Sequence, residues 1–203
     1  MPVSTLLSWS SGKDSAWALH RLRQDPNIDV TGLLTSIAVP QRVVGVHGTP
    51  EAVVLAQSAA AQLPLLIVEL PWPCSNIEYE ARMRRALMSA HESGMEAIAF
   101  GDLFLEDVRD YRLKLLEGTG LDPLFPLWGE DTRQLASEMI AGGLRARVCA
   151  VDEKRLGAEW VGREFDAAFL ADLPADVDPC GERGEYHTVV WDGPMFRHPV
   201  REA

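Results

Sequence analysis

The chain is organised around one polar stretch near its N-terminus, which reads Ser8-Trp9-Ser10-Ser11-Gly12-Lys13-Asp14-Ser15. An apolar run at residues 3–7 precedes it and is typical of a buried strand, and apolar residues with helical spacing follow at 16–22. The stretch is therefore predicted to be a tight loop between a strand and a helix. Such a loop directs free backbone N–H groups and the positive end of a helix dipole at one point. We therefore expect an anion site there.

The side chains of this loop suit a nucleotide phosphate. Gly12 lets the backbone approach an anion closely, and Lys13 adds a positive charge. Asp14 is explained if it binds Mg²⁺, which proteins hold through one or two carboxylates plus phosphate oxygens. The hydroxyl donors predicted to join them are Ser10, Ser11 and Ser15. From these residues alone, an ordinary serine and glycine turn that caps a helix stays an alternative.

Composition bounds the class of protein. The chain has 203 residues, of which 47% are hydrophobic, so it can bury a core as one domain or two small ones. Its net charge of −11 argues against a nucleic-acid partner. No apolar run reaches the length of a membrane span, and three cysteines far apart indicate free thiols in a reducing compartment. We therefore expect a soluble, cytoplasmic protein without a membrane partner.

The first half of the chain alternates predicted strands and helices. The strands are predicted at residues 3–7, 30–38, 65–70 and 96–100. The helices are predicted at 16–22, 49–62 and 76–91, with Thr49 capping the second and Ser75 or Asn76 the third. This order predicts an α/β fold built on a parallel, doubly wound sheet.

Two hydroxyl residues, Thr35 and Ser36, lie near the C-terminal end of the second predicted strand. Ligands bind at that edge of a doubly wound sheet, so both are placed to meet a nucleoside. Taken singly, each is as well explained as an ordinary β-former. His47 lies in the loop after this strand, where a solvated side chain is the favoured interpretation.

A predicted helix at residues 103–118 carries Arg109 and Arg112, which share one face. Two guanidinium groups on one face can clamp a phosphate or a carboxylate. On spacing alone, surface ion pairs with neighbouring acidic residues are the stronger explanation.

The second half of the chain is predicted to contain helices at 132–141 and 166–172 and strands at 144–151 and 188–191. The segment after the helix at 166–172 leads into the strand at 188–191 and reads Asp178-Pro179-Cys180-Gly181-Glu182-Arg183-Gly184-Glu185-Tyr186-His187-Thr188. Glu182 and Glu185 can bind an amine or act in acid–base chemistry, and His187 can assist them. Cys180 and His187 lack the partner spacing of a zinc site.

The loop at residues 8–15 resembles the pyrophosphate loop, Ser-Gly-Gly-x-Asp-Ser, of the ATP pyrophosphatases, with Ser11 in place of the first glycine. Further motifs occur in the order found in one branch, the diphthine–ammonia ligase family and its bacterial relatives of unassigned substrate. These motifs are Gly101-Asp102, Arg109 with Arg112, Gly120-Leu121, Pro126-Leu127-Trp128 and residues 181–188.

The resemblance implies a Rossmann-like, adenine nucleotide alpha hydrolase type of ATP-binding domain at residues 1–125. It also implies a smaller α+β substrate-binding domain at residues 126–203. The implied reaction uses ATP and Mg²⁺ to adenylate a carboxylate, releases AMP and pyrophosphate, and amidates the activated carboxylate with ammonia.

The resemblance also implies a role for each motif. The implied ATP contacts are Ser10, Ser11, Gly12, Lys13, Asp14, Ser15, Thr35, Ser36, Gly101 and Asp102, with Asp14 as the Mg²⁺ ligand. The implied catalytic and acceptor-binding residues are Glu182, Glu185, His187, Arg109 and Arg112.

Two other functions stay open from the sequence. A tRNA thiolase of the same superfamily would need paired reactive cysteines and a basic surface, which this sequence lacks. A nucleotide-binding sensor would bind ATP without releasing pyrophosphate and would leave Glu182 and Glu185 without a task. The acceptor is expected to be a small molecule or a modified protein side chain, and a homodimer is one candidate assembly.

Overall fold

The structure is a computed structural model that describes residues 1–45 and 47–201. Its strands are β1 (Val3–Ser8), β2 (Ile28–Val39), β3 (Val43–Val44), β4 (Leu65–Pro71), β5 (Ala97–Ala99), β6 (Asp122–Leu124), β7 (Arg145–Val151) and β8 (Tyr186–Asp192). Its α-helices are α1 (Lys13–Leu22), α2 (Glu51–Ala61), α3 (Asn76–Glu92), α4 (Glu106–Leu116), α5 (Thr132–Ala141) and α6 (Ala167–Asp172). A 3-10 turn covers Ala158–Trp160.

The main sheet is mostly parallel, as the sequence predicted. Neighbouring parallel strands follow the order β4, β2, β1, β5, β6, and the short β3 pairs antiparallel with the end of β2. A separate two-stranded antiparallel sheet joins β7 and β8. The chain leaves β1 toward β2 and later returns to β5 on the other side of β1. The topological switch point therefore lies at the C-terminal ends of β1 and β5, where such folds bind ligands.

Helices cover both faces of the main sheet, so the predicted doubly wound arrangement is confirmed. Successive strand residues alternate between faces. Leu7 packs in a core cluster with residues of α1, α2 and α5, whereas Leu6 packs in a second cluster with residues of α3 and α4. The first cluster also contains Tyr186 and Val190 of β8, so residues on both sides of the predicted boundary at 125/126 share one core. The division into domains stays a prediction.

The local predictions are confirmed in some places and wrong in others. Helix α5 and the Ser75 cap of α3 are confirmed, and the Ser75 hydroxyl accepts from the Glu78 N–H at 3.2 Å. The Thr49 cap is wrong, because α2 has Pro50 at its N-cap position and no side-chain cap. Strands β3 and β6 were missed, since two or three residues are too few to show a period.

Across residues 1–45 and 47–201, none of the helices is both long and apolar enough to cross a bilayer.

Strand β8 holds the loop between β1 and α1 directly. The Val190 N–H donates to the Ser11 carbonyl at 3.0 Å, and the Lys13 N–H donates to the Thr188 hydroxyl at 3.1 Å. Gln57 of α2 is fully buried, and its amide nitrogen donates to the Ser11 carbonyl at 3.1 Å and to the Val190 carbonyl at 2.7 Å. Buried amides need such partners, so the polar contacts fix the loop against the C-terminal part of the chain.

Ser11 occupies a backbone conformation that suits glycine. Its φ is 74°, in the left-handed region, where a side chain costs about 1 kcal/mol. Its buried hydroxyl donates to the Thr49 hydroxyl at 2.8 Å, which offsets part of that strain.

We therefore expect Ser11→Gly to change the free energy of unfolding by less than about 0.5 kcal/mol, because relief of strain balances the lost hydrogen bond. Ser11→Ala keeps the strain and loses the bond, so it should destabilise the fold by about 1 kcal/mol. Urea unfolding of both variants measures the difference. Equal stability of the two variants would contradict this account of the loop.

Candidate active site

A cavity of about 220 Å³ lies at the C-terminal ends of β1 and β5. It brings together the N-terminal loop, the segment after β5, one side chain of α4 and the loop before β8. The lining residues used below are Ser10, Gly12, Lys13, Asp14, Ser15, His47, Gly101, Asp102, Arg112, Glu182 and His187. Most of the predicted site residues therefore meet in one cavity, at the switch point of the sheet.

Lys13 is the centre of this cavity, although its side chain is only 2% exposed. Its ammonium group binds both carboxylate oxygens of Asp14, at 2.8 and 3.0 Å, and also donates to the Cys180 carbonyl. The Tyr186 ring centroid lies 5.3 Å from the ammonium nitrogen. Burial is the largest single effect and lowers the pKa of Lys13, but the combined effects of Asp14, Cys180 and Glu182 outweigh it and raise the pKa above its ordinary value. Lys13 is thus charged, and it ties the first helix to the C-terminal loop.

The permanent positive charges of the cavity are already paired. Within the described residues these charges belong to Lys13, paired with Asp14, and to Arg112, whose Nε donates to Asp102 at 3.2 Å. Within residues 1–45 and 47–201, no group of three or more His, Cys, Asp and Glu residues could hold a metal ion. A metal ion beside Asp14 would therefore also need phosphate oxygens or water as ligands.

Glu182 is the acidic group of the C-terminal motif that reaches the cavity. Its carboxylate accepts the Leu103 N–H at 2.8 Å, which links the loop before β8 to the segment after β5. Burial raises the pKa of Glu182 to about 7, against the smaller opposing effect of the Leu103 hydrogen bond. A carboxyl group with this pKa exchanges a proton near neutral pH, which suits acid–base chemistry.

Glu185 has a different position from the one its predicted role requires. It is 2% exposed, does not line the cavity, and accepts the backbone N–H groups of Asp178 and Arg183, each at 3.0 Å. Asp178 in turn accepts the N–H groups of Cys180 at 2.9 Å and Glu182 at 3.2 Å. These two carboxylates brace the loop that presents Glu182. Sequence spacing could not show which of Asp178, Glu182 and Glu185 reaches the cavity, because side chains in a loop point in no regular order.

The two arginines of α4 are also separated. Arg112 lines the cavity, and its guanidinium lies 5.1 Å from the Phe100 ring centroid. Arg109 does not line it, and its guanidinium instead packs over Trp128, 4.8 Å from the ring centroid. The predicted pair therefore does not form a clamp. The two residues are about one helical turn apart on α4, but their side chains point to different places.

A second cavity of about 210 Å³ adjoins the first and shares Ser8, Ser10, His47 and Arg112 with it. Thr35 and Ser36 line this second cavity together with apolar residues of β2 and α3. Thr35 is 1% exposed, and its hydroxyl has no hydrogen-bond partner within the part of the chain that the structure describes. A buried hydroxyl of this kind beside a cavity is satisfied by ordered water or by a ligand.

Gly101 packs directly on the first turn of α1. A Cβ atom there would lie 2.9 Å from the Asp14 carbonyl carbon and from the Ser15 nitrogen. The N–H groups of Asp14 and Ser15 precede the first helical hydrogen bond, which runs from Ala16 to Gly12. Gly101 therefore permits the close approach that keeps this turn at the cavity wall.

We expect Gly101→Ala to destabilise the fold by about 2 kcal/mol, because overpacking against backbone has no flexible side chain to relieve it. Mg·ATP affinity should fall at least about tenfold, since an energy difference of 1.4 kcal/mol at the displaced turn suffices. Thermal melting and titration calorimetry measure the two effects. Gly94→Ala is the control, because a Cβ there meets open space at φ 96°. That control should lose stability through strain alone and keep its ATP affinity.

The sequence interpretation also passed over residues that the structure places in the site. His47, interpreted as a solvated loop residue, lines both cavities. Thr188 binds the Lys13 N–H, and the Tyr186 hydroxyl donates to the Pro179 carbonyl at 2.6 Å. The only signal for the last two was their place in a glycine-rich motif next to the predicted acidic residues.

The fold and the cavity define an α/β protein whose first helix and C-terminal loop form one site at the switch point of the sheet. A family model described as the diphthamide synthase C-terminal domain matches residues 131–202. The diphthine–ammonia ligase of Mus musculus is 25% identical over 224 residues, which cover 98% of this chain and 82% of the mouse protein. That of Danio rerio is 36% identical over 86 residues, which cover 39% of this chain and 33% of the zebrafish protein.

The match to the diphthine–ammonia ligase of Schizosaccharomyces pombe is 28% identical over 123 residues, or 59% of this chain. It spans only 20% of the yeast protein. These similarities relate the chain to the diphthine–ammonia ligases, and its residues 131–202 to the diphthamide synthase C-terminal domain.

Proposed function

We propose that the protein is an ATP-dependent carbon–nitrogen ligase. It adenylates a carboxylate, releases AMP and pyrophosphate in the course of the reaction, and transfers ammonia to the activated carboxyl group. The relatives are named as ligases of ammonia and diphthine, which supports this class of reaction. The observation that carries the proposal is Lys13, whose ammonium joins the phosphate-type loop to the loop of Glu182.

The two adjoining cavities suit the two parts of ATP. The phosphates fit the first cavity, where the start of α1 offers N–H donors. The Ser10 and Ser15 hydroxyls lie 3.2 Å apart there, and the Ser15 hydroxyl donates to the Gly12 carbonyl at 3.0 Å. The nucleoside fits the second cavity, where the Thr35 hydroxyl, which has no partner among the described residues, can bond to it.

Mg²⁺ fits the charge of this site. Lys13 and Arg112 are each paired with a carboxylate, so they neutralise little of a polyphosphate's charge. Asp14 lines the cavity with 27% of its side chain exposed and would hold the ion together with phosphate oxygens. The ion would supply charge neutralisation at the phosphates.

Glu182 is proposed as the general base for the incoming amine. Its carboxylate faces the cavity and its pKa of about 7 leaves much of it ionised at neutral pH. Arg112 is the cationic side chain placed to orient the acceptor carboxylate or pyrophosphate, while Arg109 supports its helix from outside. Preorganised groups of this kind lower the barrier by positioning and by electrostatic stabilisation.

The cysteines favour this reaction over sulfur transfer. Cys74, Cys149 and Cys180 are free, and burial raises the pKa of the Cys149 thiol to about 11. Burial also raises the pKa of Cys180, whose thiol donates to the Thr132 carbonyl at 3.3 Å. Thiols in this state are poor nucleophiles.

Pyrophosphate release from Mg·ATP tests the proposal across a panel of small carboxylic acids and a diphthine-bearing peptide, each with and without ammonia. The proposal expects release that depends on one acid, and an amide product only when ammonia is present. ATP binding without pyrophosphate release across the whole panel would instead favour the nucleotide sensor.

A further inference from the structure

Two histidines, His47 and His187, lie side by side in the first cavity, and the proposed reaction gives neither of them a role. The His47 and His187 ring centroids lie 4.6 Å apart with the rings tilted by 49°. The Nε2 atom of His47 lies 3.3 Å from the point where a Cβ on Gly12 would stand. His47 therefore lies beside the glycine of the loop, and His187 lies next to His47 on the wall of the same cavity.

These imidazoles are neutral in the protein without ligand. Burial, followed by the charges of His187 and Lys13, lowers the pKa of His47 to about 3. Burial and then Lys13 lower the pKa of His187. Neutral imidazole rings can stack in this way without charge repulsion, and each retains one N–H donor.

The surroundings of the pair explain why it can still respond to an anion. The other titratable or charged groups that line the cavity are Lys13, Asp14, Asp102, Arg112, Cys180, Glu182 and Tyr186. Both cations in that set are paired with carboxylates. On β7, Cys149 precedes Ala150, the residue paired with His187, and its thiol is neutral at physiological pH.

We propose that His47 and His187 act together as an anion-responsive binding pair, neutral in the free protein and protonated when a polyphosphate occupies the cavity. The inference rests on the proposed function and deepens it, because it assigns the binding of phosphate oxygens to groups outside the loop. A polyphosphate brings several negative charges into the cavity that both histidines line, and opposite charge nearby favours the protonated imidazole. The lysine and arginine of the cavity are already protonated, so they cannot take up the proton.

Titration calorimetry in two buffers with different ionisation enthalpies measures the protons taken up on binding. The probes are Mg·ATP and Mg·pyrophosphate, at pH 6.5, 7.0 and 8.0. We expect the wild-type protein to take up about one proton more than His47→Asn or His187→Asn, and to bind about tenfold more tightly than they do at pH 6.5. Comparing the wild type with each variant at the same pH cancels the protons taken up by the ligand itself. The variant Glu182→Gln shows how many of the remaining protons are taken up by that carboxylate.

His198→Asn is the matched control, because His198 is exposed and lies outside both cavities. It should bind and take up protons like the wild type. A histidine titration by NMR provides a second readout, in which two of the five histidines should gain a higher pKa only with ligand present.

The outcomes separate this inference from the proposed function. Equal proton uptake by the wild type and both variants, with binding intact, would overturn the histidine pair and leave the ligase proposal standing. Uptake with pyrophosphate but no ATP binding would support the pair and contradict the ligase proposal. Failure of both probes to bind the folded wild-type protein would overturn both.

Discussion

Lys13→Met should lower the free energy of unfolding by about 3 kcal/mol, because it removes one partner of a buried ion pair. The lysine is 2% exposed and binds Asp14 and the Cys180 carbonyl, so the substitution leaves both acceptors without their donor. We also expect Mg·ATP affinity to fall by at least about 100-fold, because the phosphate-type loop and the loop of Glu182 lose the contact that positions them together. Urea unfolding and titration calorimetry measure the two effects.

Two further variants show whether the unpaired carboxylate is the cause. Adding Asp14→Asn to Lys13→Met removes the uncompensated charge and should recover part of the lost stability. Lys114→Met is the surface control, because Lys114 is exposed on α4, and it should change stability by less than about 0.5 kcal/mol. If Lys13→Met is as stable as this control, Lys13 does not join the two loops.

Glu182→Gln should reduce turnover about 100-fold or more, which is the usual effect of removing a positioned acid or base. The amide oxygen can still accept the Leu103 N–H, so we expect ATP affinity to change little, and stability to change little at acid pH, where the wild-type carboxyl group is also neutral. In the wild type, turnover should rise with pH through about 7, as the carboxyl group loses its proton. This limb of the pH–rate profile should be absent from the residual activity of the variant.

The stability of the protein should show the opposite pH dependence. The pKa of Glu182 is about 7 in the fold and 4.5 as its ordinary value, so the folded state holds the proton over this window. Its contribution to the free energy of unfolding therefore falls as pH rises from about 4.5 to about 7. Glu182→Gln should remove that slope.

Glu185→Gln is the matched comparison within the same loop. One of its oxygens becomes an amide nitrogen, which cannot accept either of the backbone N–H groups that Glu185 binds. We expect a loss of about 1–3 kcal/mol in stability, because one buried donor is left unsatisfied. Turnover per folded molecule should fall far less than in Glu182→Gln. The reverse order of the two effects would exchange the roles of these carboxylates.

Much of the fold followed from local patterns in the sequence. The helix at 132–141 has the bounds of α5, and the alternation of apolar runs with helical segments predicted the parallel sheet correctly. The Thr49 cap is wrong because α2 begins one residue later than predicted, with Pro50 at its N-cap position, and the Thr49 hydroxyl instead accepts from Ser11. A local sequence pattern predicts secondary-structure propensity, but it does not show a hydrogen-bond partner that is 38 residues away in sequence.

The candidate site could be predicted in composition but not in detail. The sequence indicated which segments would meet, since the ends of parallel strands share one edge. It did not show that Lys13 points to the C-terminal loop, that Glu185 braces this loop, or that Arg109 packs on Trp128. Each of these depends on the direction of a side chain within tertiary structure. His47 was underestimated for the same reason, because only the fold places it over Gly12.

Identifying which phosphate bond of ATP is broken is the most direct test of the central claim, that this site adenylates a carboxylate. ATP labelled at the α-phosphate is incubated with the protein, Mg²⁺, ammonia and the acceptor panel, and the labelled nucleotide is separated by chromatography. Our account predicts labelled AMP, formed with pyrophosphate and abolished by Lys13→Met. Labelled ADP formed with orthophosphate would contradict it, because that product requires cleavage between the β- and γ-phosphates.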